Sequence, residues 1–360
     1  PQEVKLARLF PVNGEDIATG FALRLPFFSG VDRMLKALVE GAPHPVEPGP
    51  RLMGNPPIPL SQGGGDVEGS PAVLPGGEDG SNAFAIAPKR SGDGVTRLVS
   101  NTHQPWRGGV AWYEMEIRSD QGWHFAGATF PGSPLPFLGH NEVLGWTNTI
   151  NRPDLADVYK LALSTDGKRY RLDGQWRDLE RQRVWLPVRL GPLTLPVPRT
   201  VARSAHGPVI ENKGGAFGFR YAGIDTIGAL DEWYRLGKAR NFAEWESALS
   251  RMQIPSTNFV YADRTGTIAY FYNARIPARK PGFDWRGVLP GDRSDLIWQR
   301  PVGWDQIPRN VNPASGFVFN ANNTPFLSAG PGSEIDPRRF APELGIETDL
   351  DNRTRRALRL

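Results

Sequence analysis

Short stretches rich in aromatic and aliphatic residues recur along most of the chain, each bounded by Gly, Asp or Asn. This pattern is typical of short β-strands joined by turns. It predicts strands at 83–87, 97–100, 110–117, 124–129, 157–163, 184–190, 200–209, 259–262 and 267–272.

Two other segments favour helix. One spans 31–40, and the second spans 241–252, where Asn241 is a good N-cap with Glu244 three residues later. Phe242, Trp245, Leu249 and Met252 fall on one stripe of that second helix. Strands that outnumber helices predict an α+β layer protein of largely antiparallel sheets.

Between 41 and 80 the composition changes to Gly, Pro and polar residues, as in the run from Ser61 to Asp66. This stretch has too few apolar residues to form a core. It is therefore predicted to be a linker or an excised spacer, preceded by a short segment at 1–40 and followed by the β-rich body.

The 360 residues contain no cysteine, which excludes disulfides and thiolate chemistry. No run approaches the roughly 20 apolar residues of a membrane helix, and Pro1–Lys5 do not resemble a signal peptide. The net charge of +4 allows a nucleic-acid partner, but the basic residues are dispersed among 38 acidic ones. The tight cluster formed by Arg353, Arg355, Arg356 and Arg359 is predicted to be a solvated helical face.

Familiar catalytic motifs are missing from the sequence. The five histidines form no H-x-x-x-H pair, and there is no G-x-S-x-G elbow. The pair Gly80-Ser81 suggests another chemistry. A serine that becomes an N-terminus carries its own base, because an α-amine with a pKa of about 7.7–8.0 is largely neutral near pH 8. Taken alone, however, Gly-Ser-Asn is also a common turn sequence.

The residues that follow Ser81 resemble the large subunit of the penicillin acylase family, which includes cephalosporin acylases and acyl-homoserine lactone acylases. The resemblance covers about 81–325 and rests on motifs in the family's order. These motifs are Ser81–Pro88, Asn101–Trp106, Tyr113-Glu114, Gly127–Thr129, Pro131–Pro134, Gly139–Asn141, Gly145–Thr149, Asp154–Tyr159, His206–Val209, Asn258–Asp263 and Asn320–Asn323.

The resemblance implies five catalytic residues. Ser81 matches the nucleophile that is released when the Gly80–Ser81 bond is cut, and His103 matches the residue that holds the serine-amine geometry and supplies a main-chain oxyanion contact. Ile150 matches a backbone N–H donor of the oxyanion hole, and Asn258 its side-chain donor. Arg275 matches an arginine that orders this polar cluster.

The resemblance also implies binding residues. Trp106 and Tyr113 match positions around the acyl pocket, with a plain core role as the alternative. Phe137 stands where glutaryl-specific cephalosporin acylases have an arginine, which predicts a preference for uncharged acyl chains. Asp154, Ala156 and Asp157 match a calcium site of some members, so a structural calcium is possible although no cofactor is required.

The implied fold is a four-layer αββα sandwich of the N-terminal-nucleophile hydrolases. Residues 1–40 would be the end of the small subunit, 41–80 the spacer propeptide, and 81–360 a large subunit truncated at its C-terminus, the two subunits forming a heterodimer. The implied function is a self-processing, periplasmic or secreted hydrolase of linear amides such as acyl-homoserine lactones, with no nucleic-acid or membrane partner. The alternatives are a penicillin or cephalosporin side-chain acylase and a catalytically inactive secreted binding module.

Overall fold

The computed structural model describes residues 13–17, 19–21, 31–41, 80–191, 193–348 and 350–359. It includes the α-helices α1 (Val31–Glu40), α2 (Ala229–Lys238), α3 (Phe242–Leu249) and α4 (Asn352–Ala357). Among the described residues, no helix has the length and apolar character needed to cross a membrane.

Eighteen strands are numbered in chain order: β1 (Ser81–Ile86), β2 (Arg97–Thr102), β3 (Tyr113–Ser119), β4 (Trp123–Thr129), β5 (Leu138–His140), β6 (Leu144–Thr149), β7 (Ala156–Leu161), β8 (Arg169–Leu172), β9 (Gln175–Asp178), β10 (Glu180–Leu190), β11 (Leu193–Ser204), β12 (Gly207–Asn212), β13 (Gly215–Tyr221), β14 (Ser256–Asp263), β15 (Ile268–Ala274), β16 (Val288–Pro290), β17 (Arg309–Val311) and β18 (Phe317–Asn320).

These strands form four sheets. A seven-stranded sheet has the order β17-β15-β14-β6-β5-β4-β3, and a three-stranded sheet has the order β18-β1-β2. A six-stranded sheet, β10-β11-β12-β13-β7-β16, lies beside them, and β8 pairs with β9. Every pairing is antiparallel except that of β16 with β7. The predicted α+β class with mainly antiparallel sheets is therefore confirmed.

The three-stranded and seven-stranded sheets pack face to face. Ala83 and Ala85 of β1 share a fully buried core with Val260 of β14 and Tyr270 of β15. Small side chains on β1 allow its backbone to approach the larger residues of the opposite sheet closely. The start of β1 is therefore buried at the interface of the two sheets.

Helices cover the outer faces of this pair of sheets. Trp233 of α2 and Trp245 of α3 pack on Phe259 of the seven-stranded sheet, with ring centroids 5.5 and 5.6 Å apart. On the other side, Ala357 of α4 packs against Phe319 of β18. The order helix, sheet, sheet, helix agrees with the predicted four-layer sandwich.

Most predicted elements are present, with shifted ends. The helix predicted at 31–40 matches α1, and Asn241 caps α3 by accepting from the Glu244 N–H at 2.9 Å. Helix α3 ends at Leu249, before the predicted end at Met252, whose φ of 53° is not helical. The single strand predicted at 200–209 is wrong, since a turn at Ala205-His206 separates β11 from β12. Apart from Gly41 and Gly80, the predicted spacer lies outside the described residues.

Candidate active site

Ser81 begins β1 on its inner face. Buried and half-buried residues alternate along this strand, so Ser81 points the same way as Ala83 and Ala85, toward the seven-stranded sheet. Its side chain is 1% exposed, and its Oγ has no hydrogen-bond partner among the described residues. A buried hydroxyl without a partner is costly, which points to a reacting group.

The bond between Gly80 and Ser81 is held in a defined position. The His103 N–H donates to the Gly80 carbonyl at 3.1 Å, which extends the pairing of Ser81 with Thr102 by one residue. A Cβ at position 80 would lie 2.9 Å from Nη1 of Arg353. A side chain at position 80 would therefore make the guanidinium end of Arg353 shift, and the φ of Gly80 is not positive. The main-chain N–H of His103, which was predicted to contact an oxyanion, thus donates to the carbonyl of the candidate cleavage bond.

The side chain of Asn322 contacts the main-chain N–H of Ser81. Its Oδ1 accepts from the Ser81 N–H at 2.6 Å, and its Nδ2 donates to the Ile150 carbonyl at 2.9 Å. Asn322 has a φ of 66°, a conformation that asparagine tolerates better than most residues. Such local strain at a contact with the nucleophile is typical of functional sites.

Arg353 of α4 is a second residue that the sequence analysis did not place in the site. Its Nη1 donates to the Ser81 carbonyl at 2.8 Å and to Asn82 Oδ1 at 3.2 Å. Its Nη2 donates to Asn322 Oδ1 at 3.1 Å and lies 2.9 Å from Asp351 Oδ2. Arg353 is thus not part of a solvated face, although the other three arginines of that cluster are exposed.

Asn258 lies one layer behind. Its Nδ2 donates to Thr149 Oγ1 at 3.0 Å and to Asn320 Oδ1 at 3.2 Å, and its Oδ1 accepts from Tyr270 at 2.8 Å. Asn320 Oδ1 in turn accepts from the Asn322 N–H at 2.8 Å. Among the described hydrogen bonds, Asn322 thus contacts the Ser81 N–H, and Asn258 Nδ2 reaches the Ile150 carbonyl at 3.5 Å. Asn258 supports Asn322 through Asn320.

Arg275 is also placed differently from the prediction. Its Nε donates to the Ala222 carbonyl and its Nη1 to the Met252 carbonyl, both at 2.9 Å. No described hydrogen bond joins its guanidinium to Ser81 or Asn258. Desolvation lowers the pKa of Arg275, although nearby Asp225 and Glu232 oppose that change. Arg275 therefore orders a loop, while Arg353 takes the place beside the nucleophile.

A pocket of about 690 Å³, including space open to solvent, adjoins Ser81 through Thr102 and Ile150. No charged residue is among those that line it. The apolar lining residues are Trp112, Phe130, Phe137, Trp233, Ile254 and Pro255, and Phe21 stacks behind Phe137 with ring centroids 5.7 Å apart.

Of the three predicted substrate-binding residues, the structure brings only Phe137 to this pocket. Trp106 is fully exposed, and Tyr113 is 62% exposed at the start of β3. Trp112 takes the position instead, because its Nε1 donates to the Thr102 carbonyl at 2.8 Å and its ring stacks on Phe130. Trp112, which precedes Tyr113 in the sequence, therefore lines this pocket, and Tyr113 does not.

The residues predicted for calcium already face a cation from the chain itself. Nη2 of Arg279 lies 3.0 Å from Oδ1 of Asp154 and 3.0 Å from Oδ1 of Asp157. Trp298 Nε1 donates to Asp157 Oδ2 at 2.6 Å, and Ala156 is a buried residue of β7. The described residues contain no group of three or more His, Cys, Asp or Glu that could hold a metal. Calcium prefers six to eight oxygen ligands, so this arrangement does not fit it.

We therefore expect the melting temperature to be the same in excess EDTA and in excess calcium. By contrast, Arg279→Met should destabilise the fold by about 3–5 kcal/mol, because the buried carboxylate of Asp157 and the partly exposed one of Asp154 would lose their cation. Scanning calorimetry of the wild type and of this variant measures both effects. A melting temperature that EDTA lowers and calcium restores would show that a calcium site exists.

Comparisons with known proteins identify the family of this chain. The family model for penicillin amidase matches residues 2–360. The chain is similar to the acyl-homoserine lactone acylase PvdQ of Pseudomonas putida, with 31% identity over 70% of this chain and 36% of the relative. It is also similar to the aculeacin-A acylase of Actinoplanes utahensis, with 26% identity over 74% of this chain and 39% of the relative.

Among solved structures, the thermostable penicillin G acylase of Alcaligenes faecalis superposes with a TM-score of 0.60. Its identity to this chain is 26%, over 68% of this chain and 44% of that one. The chain thus spans less than half the length of these relatives. Because the family model covers nearly every residue, the chain belongs to the penicillin amidase family.

Proposed function

We propose that this chain is part of a self-processing hydrolase of linear amides in which Ser81 is the N-terminal nucleophile. One observation carries the proposal. Ser81 has a buried, unpartnered hydroxyl, and the carbonyl of the preceding Gly80 accepts a hydrogen bond from the His103 N–H at 3.1 Å. This is the arrangement that attack of the hydroxyl on its own preceding carbonyl requires.

Maturation would proceed by an N→O acyl shift. Ser81 Oγ attacks the Gly80 carbonyl carbon, and the His103 N–H stabilises the negative charge that develops on the carbonyl oxygen. The C–N bond then breaks, and the nitrogen of Ser81 takes up a proton. Water hydrolyses the resulting ester, which leaves a carboxylate on Gly80 and a free hydroxyl and α-amine on Ser81.

In turnover the α-amine would act as the base for the hydroxyl. Arg353 contacts both Ser81 and Asn322, so its positive charge would lie beside this amine and would favour the neutral form that accepts a proton. A substrate carbonyl oxygen would receive hydrogen bonds from Asn322 Nδ2 and the Ile150 N–H. The acyl-ester intermediate is then hydrolysed by water.

The lining of the pocket favours a substrate whose acyl group carries no charge. This apolar lining can hold an aliphatic or aromatic chain, where each buried CH₂ contributes about 0.8 kcal/mol. A carboxylate would be buried there without a partner, which is costly. Acyl-homoserine lactones are the proposed substrates, and phenylacetyl amides such as penicillin G are the alternative. A two-chain mature enzyme in the periplasm or outside the cell belongs to the same proposal.

We expect octanoyl and phenylacetyl amides to be hydrolysed faster than the glutaryl amide of the same chromogenic amine. Phe137→Leu should lower kcat/KM for phenylacetyl several-fold, because it removes aromatic contact with the acyl group. Trp106→Ala is the matched control, since Trp106 is fully exposed outside the pocket, and it should leave the selectivity unchanged. Faster release of the amine from the glutaryl compound would refute the proposed acyl preference.

A further inference from the structure

One wall of the acyl pocket is a short loop, 252–255, between α3 and β14. Ile254 and Pro255 of this loop line the pocket. The loop begins at Met252, whose φ of 53° is rare for a residue other than glycine. A loop with such strain keeps its shape only when the surrounding structure holds it.

Two side chains from different elements hold this loop. Arg275 Nη1 donates to the Met252 carbonyl at 2.9 Å, and Glu232 Oε2 accepts from the Gln253 N–H at 2.5 Å. Asn273 Nδ2 adds a bond of 3.0 Å to the Ile254 carbonyl. Side chains therefore hold both N–H and carbonyl groups of the loop backbone.

Glu232 is the unusual member of this group. It is fully buried in α2, next to the pocket residue Trp233, and its Oε1 has no partner among the described residues. Burial raises the pKa of Glu232 to about 8, against the opposing effects of the Gln253 and Ile254 N–H groups and of Arg251 and Arg275. Glu232 is thus mainly neutral at pH 7. A buried, incompletely paired carboxyl is costly, and nothing in the proposed reaction uses it.

We propose that Glu232 is a positioning residue that sets the acyl-chain specificity of the enzyme by fixing the 252–255 loop as the wall of the acyl pocket. This inference rests on the proposed function. Glu232 contacts the loop backbone, and neither Ser81 nor Asn322 is among its partners. Its loss therefore acts on the acyl chain and leaves the oxyanion donors in place.

The test compares Glu232→Ala and Glu232→Gln in the full-length precursor, with Glu246→Gln as the control. Glu246 lies on the neighbouring helix α3, is 31% exposed and pairs with Arg309 at 3.7 Å, away from the loop. Each purified variant is first checked by intact mass for normal processing. The values of kcat and KM are then measured for acetyl and octanoyl amides of one amine.

For Glu232→Ala we expect KM for the octanoyl amide to rise about tenfold, the effect of losing contact with roughly two methylene groups. KM for the acetyl amide and both kcat values should stay within about twofold, because the reacting groups are untouched. Glu232→Gln should behave like the wild type, since an amide oxygen accepts the same backbone hydrogen bond as the neutral carboxyl. Should the alanine variant be insoluble, Glu232→Asp is expected to shift KM in the same direction by less.

Equal losses on both substrates, a fall in kcat alone, or no change in a folded Glu232→Ala variant would each overturn the inference. A wild-type enzyme that hydrolyses neither amide would instead refute the proposed function. Calorimetric binding of octanoate separates the two cases without turnover. Octanoate should bind the wild type and the glutamine variant alike and the alanine variant about tenfold more weakly.

Discussion

Replacing Ser81 with alanine should leave the full-length precursor as one uncut polypeptide with no amidase activity. The wild type should separate into two chains under the same conditions. The reason is chemical, because the N→O acyl shift needs the hydroxyl of the residue that follows Gly80, which Ser81 supplies. Denaturing electrophoresis and intact mass of the purified proteins measure the outcome.

Ser91→Ala is the matched control for this experiment. Ser91 lies in the turn after β1, and its Oγ donates to the Pro88 carbonyl at 3.4 Å, away from the Gly80–Ser81 bond. This variant should be cut like the wild type. If Ser81→Ala is also cut at the same bond, an external protease makes the cut and self-processing is wrong.

The second large effect is expected at Asn322. Asn322→Ala should lower kcat by about 10²–10³, with little change in KM, because an oxyanion donor strengthens its contact as charge develops on the substrate oxygen. Asn322 bridges the Ser81 N–H and the Ile150 carbonyl. Its side-chain amide therefore lies between the nucleophile and Ile150, whose N–H is the other proposed oxyanion donor. Rates are normalised to the processed enzyme, because the same change also affects maturation.

Asn258→Ala is the informative comparison for Asn322. Asn258 bonds Thr149, Asn320 and Tyr270 in the buried layer behind the site. Its removal should lower the free energy of unfolding by about 1–3 kcal/mol, because buried partners lose their hydrogen bonds. The turnover of the folded, processed fraction should fall less than tenfold. A larger loss of kcat in Asn258→Ala than in Asn322→Ala would return the oxyanion role to Asn258.

Local sequence patterns predicted much of the fold. The Asn241–Glu244 cap and the alternation along β1 are properties of neighbouring residues, so the sequence contains them directly. The turn at His206 escaped prediction because residues on both sides of it favour strands. The close approach of Arg353 to Gly80 was not predicted, because Arg353 is distant from Gly80 in the sequence.

The candidate site was harder to predict where it depends on contacts between distant segments. Arg353 is 272 residues from Ser81, and its neighbours along the chain are solvent-exposed arginines, so no local signal separated it from them. Asn322 lies in the asparagine-rich stretch that follows β18, but no local pattern marks which of these asparagines reaches Ser81. The pairing of β18 with β1 brings Asn322 to the Ser81 N–H.

Ser81, once freed as an N-terminus, is proposed to form the acyl-enzyme. The direct measurement is mass spectrometry of the full-length gene product, quenched in acid during turnover of an octanoyl amide and digested with pepsin in acid, where the protonated α-amine cannot take the acyl group from the hydroxyl. We expect a large chain that begins Ser81-Asn82-Ala83 and an octanoyl group on its N-terminal peptide, attached as a hydroxylamine-labile ester. An acyl group on any other residue, or turnover by a chain still joined at Gly80–Ser81, would contradict this proposal.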